Sequence, residues 1–171
     1  MKKVLLLCLM ACFTVAANAQ FSVGGTLGFS TEHVKHAGTT TTFQIAPEFG
    51  YELNEAIELG IEVGAGYGHM NHDDLRTFAL TPYVRAKFAK VSCVDFFAEA
   101  AFSYKYMEWD DADVDADGWG IGIRPGFIVN MTKNWKLIGK TTLLEYSKMD
   151  DVKTTGFHLN GHFEMGVLYC F

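Results

Sequence analysis

The sequence predicts an all-β fold, namely an eight-stranded antiparallel up-and-down transmembrane β-barrel preceded by a cleaved signal peptide. Apolar residues recur at every second position over most of the chain, and the positions between them are polar, charged or glycine. A period of two is typical of β-strands whose two faces meet different surroundings. Aromatic residues also gather at the ends of the apolar runs, and short connections alternate with long ones, as in barrels that span a membrane.

The first 19 residues have the parts of a secretory signal peptide. Lys2 and Lys3 form a basic start, an apolar stretch covers residues 4–17, and residues 17–19 read Ala-Asn-Ala, an A-x-A cleavage site. A looser lipoprotein processing box ends at Cys12, but the apolar stretch continues past it. We therefore expect residues 1–19 to be removed and residues 20–171 to form a single outer-membrane β-barrel domain.

Charge and cysteine content exclude two classes of protein. Loss of the signal peptide leaves 12 of the 14 basic residues against 20 acidic ones. An acidic chain repels the phosphate backbone, so we expect no nucleic-acid partner. Only Cys93 and Cys170 remain after cleavage, which is too few for a disulfide-stapled scaffold.

Eight alternating runs define the strands in chain order. The predicted strands occupy residues 21–29, 43–51, 57–67, 78–88, 94–106, 119–129, 135–143 and 157–171. The short connections lie at 53–56, 89–93 and 131–134. The longer connections lie at 30–42, 69–76, 108–118 and 147–155. We expect the short ones to be periplasmic turns and the long ones to be outer loops.

Two irregularities interrupt the pattern. Pro47, Pro82 and Pro125 each lie within a predicted strand, where proline cannot donate to the ladder, so each predicts a bulge or a missing bond. The seventh strand loses its alternation near residues 141–146. Lys140 and Glu145 cannot both face inward there unless the strand contains a bulge.

The aromatic residues form two predicted girdles around an aliphatic band, as in transmembrane barrels. One rim collects Phe21, Tyr51, Phe88, Phe96, Trp135, Tyr169 and Phe171. The other collects Phe29, Phe43, Tyr67, Phe78, Tyr104, Tyr106, Trp119 and Phe157. The sheet is expected to close, because an open edge would leave backbone groups unpaired in hydrocarbon.

The opposite face of the strands carries charges of both signs at similar depth. Such charges suit a closed interior, where each can find a partner. The predicted interior charge network contains Glu48, Glu62, Arg85, Glu99, Lys105, Arg124 and Glu164. An eight-stranded barrel is only wide enough for side chains to fill, so we expect a packed polar interior in place of a pore.

The signal peptide, the eight alternating strands and the closing segment FEMGVLYCF resemble the small outer-membrane β-barrels of the OmpX type and the OmpA transmembrane domain. The resemblance implies location in the outer membrane of a Gram-negative bacterium, with both termini in the periplasm. It implies a structural or adhesive role through the outer loops, no cofactor, and contact with outer-membrane lipid and lipopolysaccharide. It also implies that the barrel-assembly machinery reads the last strand, through Phe163, Met165, Val167, Tyr169 and Phe171.

Acidic and histidine residues offer weaker candidates for metal binding. Asp113, Asp115 and Asp117 have the spacing of half an EF-hand loop, but Arg124 occupies the position of the bidentate glutamate. A looser divalent-cation site and a solvated acidic loop are the two alternatives. A transition-metal site is a further alternative for the histidines of two outer loops, which are His33, His36, His69 and His72. The pair His158 and His162 is expected to join the polar interior beside Glu164.

Two other functions are compatible with parts of the pattern. A lipid A-modifying outer-membrane enzyme would need a histidine and a serine at the outer rim, and Ser30 and Ser147 lie near it without a histidine motif. A soluble, lipocalin-like carrier would also show alternating strands. The main prediction is a barrel without catalytic residues.

Overall fold

A computed structural model of the chain describes residues 20–34, 38–70, 73–109, 114–149, 152–157 and 163–171. Ten β-strands lie within those ranges, and each pairs with its neighbours in antiparallel fashion. The strands are β1 (Phe21–Val34), β2 (Gly38–Glu52), β3 (Ile57–Met70), β4 (Asp73–Val91), β5 (Val94–Trp109), β6 (Val114–Asn130), β7 (Trp135–Thr141), β8 (Leu144–Met149), β9 (Val152–Phe157) and β10 (Phe163–Cys170). In the same ranges no helix is long and apolar enough to cross a membrane.

Eight of the ten described strands close into a barrel. Strands β1 to β7 pair in sequence, β7 pairs with β10, and β10 returns to β1. The closing pairs run from Ser22 with Cys170 to Phe29 with Phe163. Strand β8 continues the wall of β7 and pairs with β6 and β9. The predicted eight-stranded antiparallel barrel is therefore confirmed.

The predicted bulge in the seventh wall strand is present between β7 and β8. Gly126 of β6 pairs with Lys140, and Ile123 pairs with Leu144, so the β7–β8 side has one more residue than β6 over this stretch. The additional residue reverses the alternation, because successive side chains point to opposite faces. Lys140 and Glu145 both reach interior partners as a result.

The three prolines disturb the ladders as predicted. Register pairs are missing between β2 and β3 at Pro47 and between β4 and β5 at Pro82. Pro125 lies opposite the bulge between β7 and β8. A further bulge, at Phe88 of β4, was not predicted.

The two faces of the wall have the predicted characters. Outward-facing aliphatic and aromatic side chains are exposed along every strand of the barrel wall, whereas most of the charged inward residues are buried. A small apolar cluster of Phe97, Ile128, Ile138 and Leu168 also lies inside the barrel. This cluster was not predicted from the sequence, because its members stand singly among polar inward positions.

The predicted long outer loops are wrong over the described residues, because the strands continue through most of them. The β1–β2 ladder extends to Val34 with Gly38, the β3–β4 ladder to Met70 with Asp73, and the β5–β6 ladder to Trp109 with Val114. Threonine and other β-branched residues favour extended backbone even where no apolar face is present. Apolar alternation therefore ends before the strands do, and the loops become extended hairpins.

Candidate functional site

A buried arginine organises the charges inside the barrel. The Arg85 guanidinium donates from Nη1 to Glu58 Oε1 at 2.8 Å and from Nη2 to Glu48 Oε1 at 3.1 Å. Its Nε and Nη2 donate to Glu99 Oε2 at 3.0 and 2.8 Å. The Arg85 side chain is 0% exposed. Arginine's planar fork suits such a site, because its donors can meet several carboxylates at once.

Two further cations extend the network across the lumen. Lys140 Nζ lies 3.2 Å from Glu48 Oε2, and it also forms an ion pair with Glu62. Arg124 Nη1 donates to Glu62 Oε1 at 3.3 Å, and Arg124 also pairs with Glu99. Buried ions must be paired to be tolerated, and each of these ions is paired twice or more.

These contacts form a closed cycle of alternating charges, which we call the charge ring. Its order is Arg85, Glu48, Lys140, Glu62, Arg124, Glu99 and back to Arg85. The six members come one each from the six consecutive strands β2 to β7. The other two wall strands of the barrel are β1 and β10. Thr26 of β1 donates its hydroxyl to Glu164 of β10 at 3.0 Å, and Glu164 lies 3.6 Å from Lys140. Every wall strand of the closed barrel thus contributes to one polar layer.

Aromatic side chains pack against the charge ring. The Tyr83 hydroxyl lies within 3.3 Å of both Glu48 and Glu58. The Arg85 guanidinium carbon lies 4.7 Å from the centre of the Tyr83 ring and 4.8 Å from that of Phe97, which are cation–π distances. Gly60 leaves the space for Tyr83, since a Cβ there would overlap the phenol ring.

The structure brings six of the seven predicted network residues together, namely Glu48, Glu62, Arg85, Glu99, Arg124 and Glu164. Lys105 lies apart from them and pairs with Glu145 at 2.8 Å, in a partly exposed position. Lys140 and Glu58 were absent from the predicted network. The signal that could have found Lys140 was the broken alternation of its strand, which itself indicated the bulge.

A smaller cluster of charges lies at the end of the barrel that carries the short turns. Lys87 Nζ and Lys136 Nζ donate to the same oxygen, Glu52 Oε1, at 2.6 and 2.8 Å. Glu52 is the last residue of β2 and lies beyond the aromatic girdle that contains Tyr51. Burial acts to raise the pKa of the Glu52 carboxyl, but the hydrogen bonds from Lys136 and Lys87 prevail and lower that pKa below its ordinary value.

The family model described as "Outer membrane protein beta-barrel domain" matches residues 4–163. The chain belongs to this outer-membrane β-barrel family. No curated protein matches the sequence.

Several solved structures are similar to this chain over most of its length, and Neisserial surface protein A agrees with the family at the level of the fold. Neisserial surface protein A is similar over 90% of this chain and 97% of its own, with 17% identity and a TM-score of 0.62. Ail of Yersinia pestis, solved in a phospholipid bilayer nanodisc, is 16% identical over 88% of this chain and 99% of its own, with a TM-score of 0.45. A major outer membrane protein from Thermus thermophilus is 14% identical over 90% of this chain and 99% of its own, with a TM-score of 0.47.

As a member of the outer-membrane β-barrel family, the protein lies in the outer membrane of a Gram-negative bacterium. Its exposed apolar face is therefore the surface that contacts lipid. This location excludes the soluble carrier that the alternating strands alone would allow.

The predicted assembly signal lies on the last strand of this outer-membrane barrel. Phe163, Met165 and Val167 face outward from β10, and the Tyr169 ring packs edge-on against Phe171 with 5.0 Å between centroids. The Phe171 backbone N–H donates to Phe21 O at 2.9 Å. The strand thus closes the wall, and its recognition by the assembly machinery stays a prediction.

The predicted metal-binding residues are only partly described. Asp113, His36, His72, His158 and His162 lie outside the described residues. Asp115 and Asp117 lie on β6, opposite Glu108 and Tyr106, and the Tyr104 hydroxyl donates to Asp117 Oδ2 at 3.0 Å. Among the side chains that the structure describes, no three histidine, cysteine or acidic residues gather as a metal site would require. The divalent-cation site stays a prediction.

Proposed function

We propose that the protein is a sealed, non-enzymatic outer-membrane barrel that acts at the cell surface through its extended hairpins, in a structural or adhesive role. The observation that carries the proposal is the charge ring, because residues from all eight wall strands meet in one buried layer. Those side chains occupy the space through which a solute would have to pass.

The orientation of the barrel follows from its two ends. Short turns at 53–56, 92–93 and 131–134 lie at the end that carries Gln20 and Phe171. Extended hairpins lie at the other end. Outer-membrane barrels have short periplasmic turns and longer extracellular segments, so we assign the extended hairpins to the cell exterior.

The outer hairpins provide the surface for interaction. The β1–β2 ladder continues for the five residues 30–34 beyond the aromatic pair Phe29 and Phe43. At about 3.4 Å per residue, the hairpin reaches roughly 17 Å past that girdle. Its strands carry polar residues, including the run of threonines at 39–42, and paired strands of this kind present a stable surface to a partner.

Planar-bilayer recording tests the sealed interior. We expect the reconstituted barrel to show little or no steady conductance, since the charge ring fills the lumen. A variant carrying both Arg85→Ala and Arg124→Ala, which shortens two ring members, should conduct more than the parent. Large and steady conductance by the parent protein would contradict the proposal.

Lipid A analysis tests the non-enzymatic part of the proposal. Mass spectra of lipid A from cells that express the protein should match those from cells that lack it. A mass change that corresponds to loss or addition of an acyl chain would establish the enzyme alternative. Protease treatment of intact cells tests the orientation, because only hairpins outside the cell would be cut.

A further inference from the structure

Strand β4 extends past the end of its neighbour β3 at the end of the barrel with the short turns. The last register pair between them joins Ile57 and Ala86, and the Lys87 N–H donates to Ala56 O at 2.7 Å. Strand β4 then passes through the bulge at Phe88 and continues to Val91, and its residues 89–91 pair only with β5. A strand edge of this kind presents backbone N–H and C=O groups that an added strand can pair with.

A cavity of about 570 Å³ lies beside this edge and opens to solvent. Its wall includes Phe88 and Ala89 of the free edge, and its inner part includes Glu52, Lys87 and Lys136. The volume is within the range of about 300–1,000 Å³ that small-ligand sites occupy. The lysines face the lumen, so the cavity is reached from water and not from the lipid around the barrel.

The inner part of the cavity has a local excess of positive charge. Lys87 and Lys136 share one carboxylate oxygen of Glu52, and all three side chains are largely buried. Each ammonium has three donors, so the two lysines can bind a second carboxylate without giving up Glu52. The whole lining has three lysines and three acidic residues, so the positive excess is confined to Lys87 and Lys136 around Glu52; Lys90 pairs with Asp95 at 3.8 Å, and Glu55 lies exposed in the 53–56 turn.

We propose that this cavity and edge together dock an extended peptide that ends in a free carboxylate. The carboxylate would bind between Lys87 and Lys136, and the peptide backbone would add to the β4 edge along residues 89–91, past the bulge at Phe88. Addition of a strand to a sheet edge gives affinity through main-chain hydrogen bonds, while the terminal carboxylate gives direction. The assignment of this ligand to the periplasm rests on the orientation in the proposed function.

Peptide binding to the barrel in lipid nanodiscs tests the proposal. The probe is the hexapeptide Thr-Val-Thr-Val-Thr-Val with an N-terminal fluorescein, measured by fluorescence anisotropy. It is compared with its C-terminal amide and with a version methylated on alternate backbone nitrogens. We expect the free acid to bind at least tenfold more tightly than either, because the amide loses the charge and the methylated peptide loses ladder donors.

Variants separate the two parts of the site. The pair Lys87→Gln and Lys136→Gln should remove the difference between acid and amide. Lys133→Gln is the matched control, since Lys133 belongs to the 131–134 turn at the same end and is outside the cavity wall. Heat-modifiable gel mobility confirms that each variant is folded.

The proposal is overturned if acid and amide bind equally well, or if Lys133→Gln has the effect of the double variant. Equal binding of the methylated acid would overturn the role of the β4 edge. Nanodiscs expose both ends of the barrel, so these outcomes do not depend on orientation. Protease treatment of intact cells tests the orientation separately.

Discussion

At the scale of single residues, Arg85 and Lys140 show what the interior requires. Arg85 touches three carboxylates, and Lys140 likewise reaches three. In both cases one long cationic side chain from one strand neutralises acids on several others. Loss of Arg85 would leave Glu58 without its ion pair and would take one of two partners from Glu48 and from Glu99, which in a buried layer costs far more than loss of a surface ion pair.

Arg85→Ala should lower the free energy of unfolding by about 3–5 kcal/mol, the usual cost of removing one partner from a buried ion pair. Lys105→Ala is the control, because Lys105 is 30% exposed and its pair with Glu145 resembles a surface pair worth at most about 1 kcal/mol. Urea titration of the two variants in lipid vesicles measures the difference. Equal destabilisation by the two substitutions would contradict a buried network.

Six of the predicted network residues could be recognised because alternation is unbroken on their strands around these positions. Lys140 could not be placed with them, because one additional residue between β7 and β8 changes which positions face inward, and its exact location depends on pairing with β6. Phe97 was missed for a different reason. Its inward position was predictable from parity, but its contact with Arg85 depends on the register between β4 and β5, which places the two residues diagonally opposite each other.

At the scale of elements, β10 combines closure of the wall with the predicted assembly signal. Phe171 is 70% exposed at the rim, so its ring contributes little buried area to the finished barrel. Its backbone N–H, however, donates a hydrogen bond to the Phe21 carbonyl oxygen and so helps to close the wall. A side chain with this exposure can be important for delivery to the membrane and unimportant for stability afterwards.

Phe171→Ala should lower the amount of protein that reaches the outer membrane, while the refolded variant melts close to the parent. Phe29→Ala is matched to it, since Phe29 is a rim aromatic at the opposite end and is 63% exposed. Membrane fractionation and heat-modifiable mobility provide the two measurements. Normal accumulation of the Phe171 variant, or equal loss of the Phe29 variant, would remove the special role of the last residue.

The outer hairpins were predicted as loops because their residues lack an apolar face, and apolar alternation was the basis for assigning strands. Their pairing continues because strand formation beyond the membrane needs ladder bonds and β-branched residues, and both faces can then be polar. The number of strands and their inward and outward faces were nevertheless predictable. Hydrophobic alternation reports contact with lipid, and it does not report strand length.

Replacement of residues 32–40 by Asn-Gly should leave the barrel folded, with a free energy of unfolding within about 1 kcal/mol of the parent. Thr31 and Thr41 form a register pair, and a two-residue Asn-Gly turn connects such a pair directly. Urea titration checks the stability. Strong destabilisation would show that the hairpin supports the wall in addition to extending from it.

At the scale of the whole molecule, the charge ring favours the closed barrel over an open sheet. Glu48 and Glu62 face each other as a register pair on β2 and β3, and like charges directly opposite are destabilising. Lys140 on β7 contacts both, from a strand that does not adjoin either of theirs. The sheet must therefore curve round the lumen before this repulsion is relieved.

Lys140→Met should lower the free energy of unfolding by about 3–5 kcal/mol, since it leaves the two facing glutamates without their shared cation. Adding Glu62→Gln should restore at least half of the lost free energy of unfolding, because it removes one of the two like charges. Arg124 still has its ion pair with Glu99 in this double variant. A double-mutant cycle by urea titration measures the coupling. Additive losses from the two substitutions would show that the repulsion is unimportant.

The facing pair of Glu48 and Glu62 also has a consequence for the time course of insertion. The two acids belong to neighbouring strands near the start of the barrel, whereas Lys140 lies 78 residues after Glu62. A chain that has inserted only its first three strands therefore carries this repulsion between carboxylates with hydrocarbon close by; β4 then brings Arg85 to Glu48, but the cation that both acids share arrives only with β7. Such a partly inserted state is poorly populated, because until β7 is in place exit of the inserted strands from the bilayer competes with insertion of the next strand. Insertion should then follow single-exponential kinetics, with all strands crossing the bilayer together.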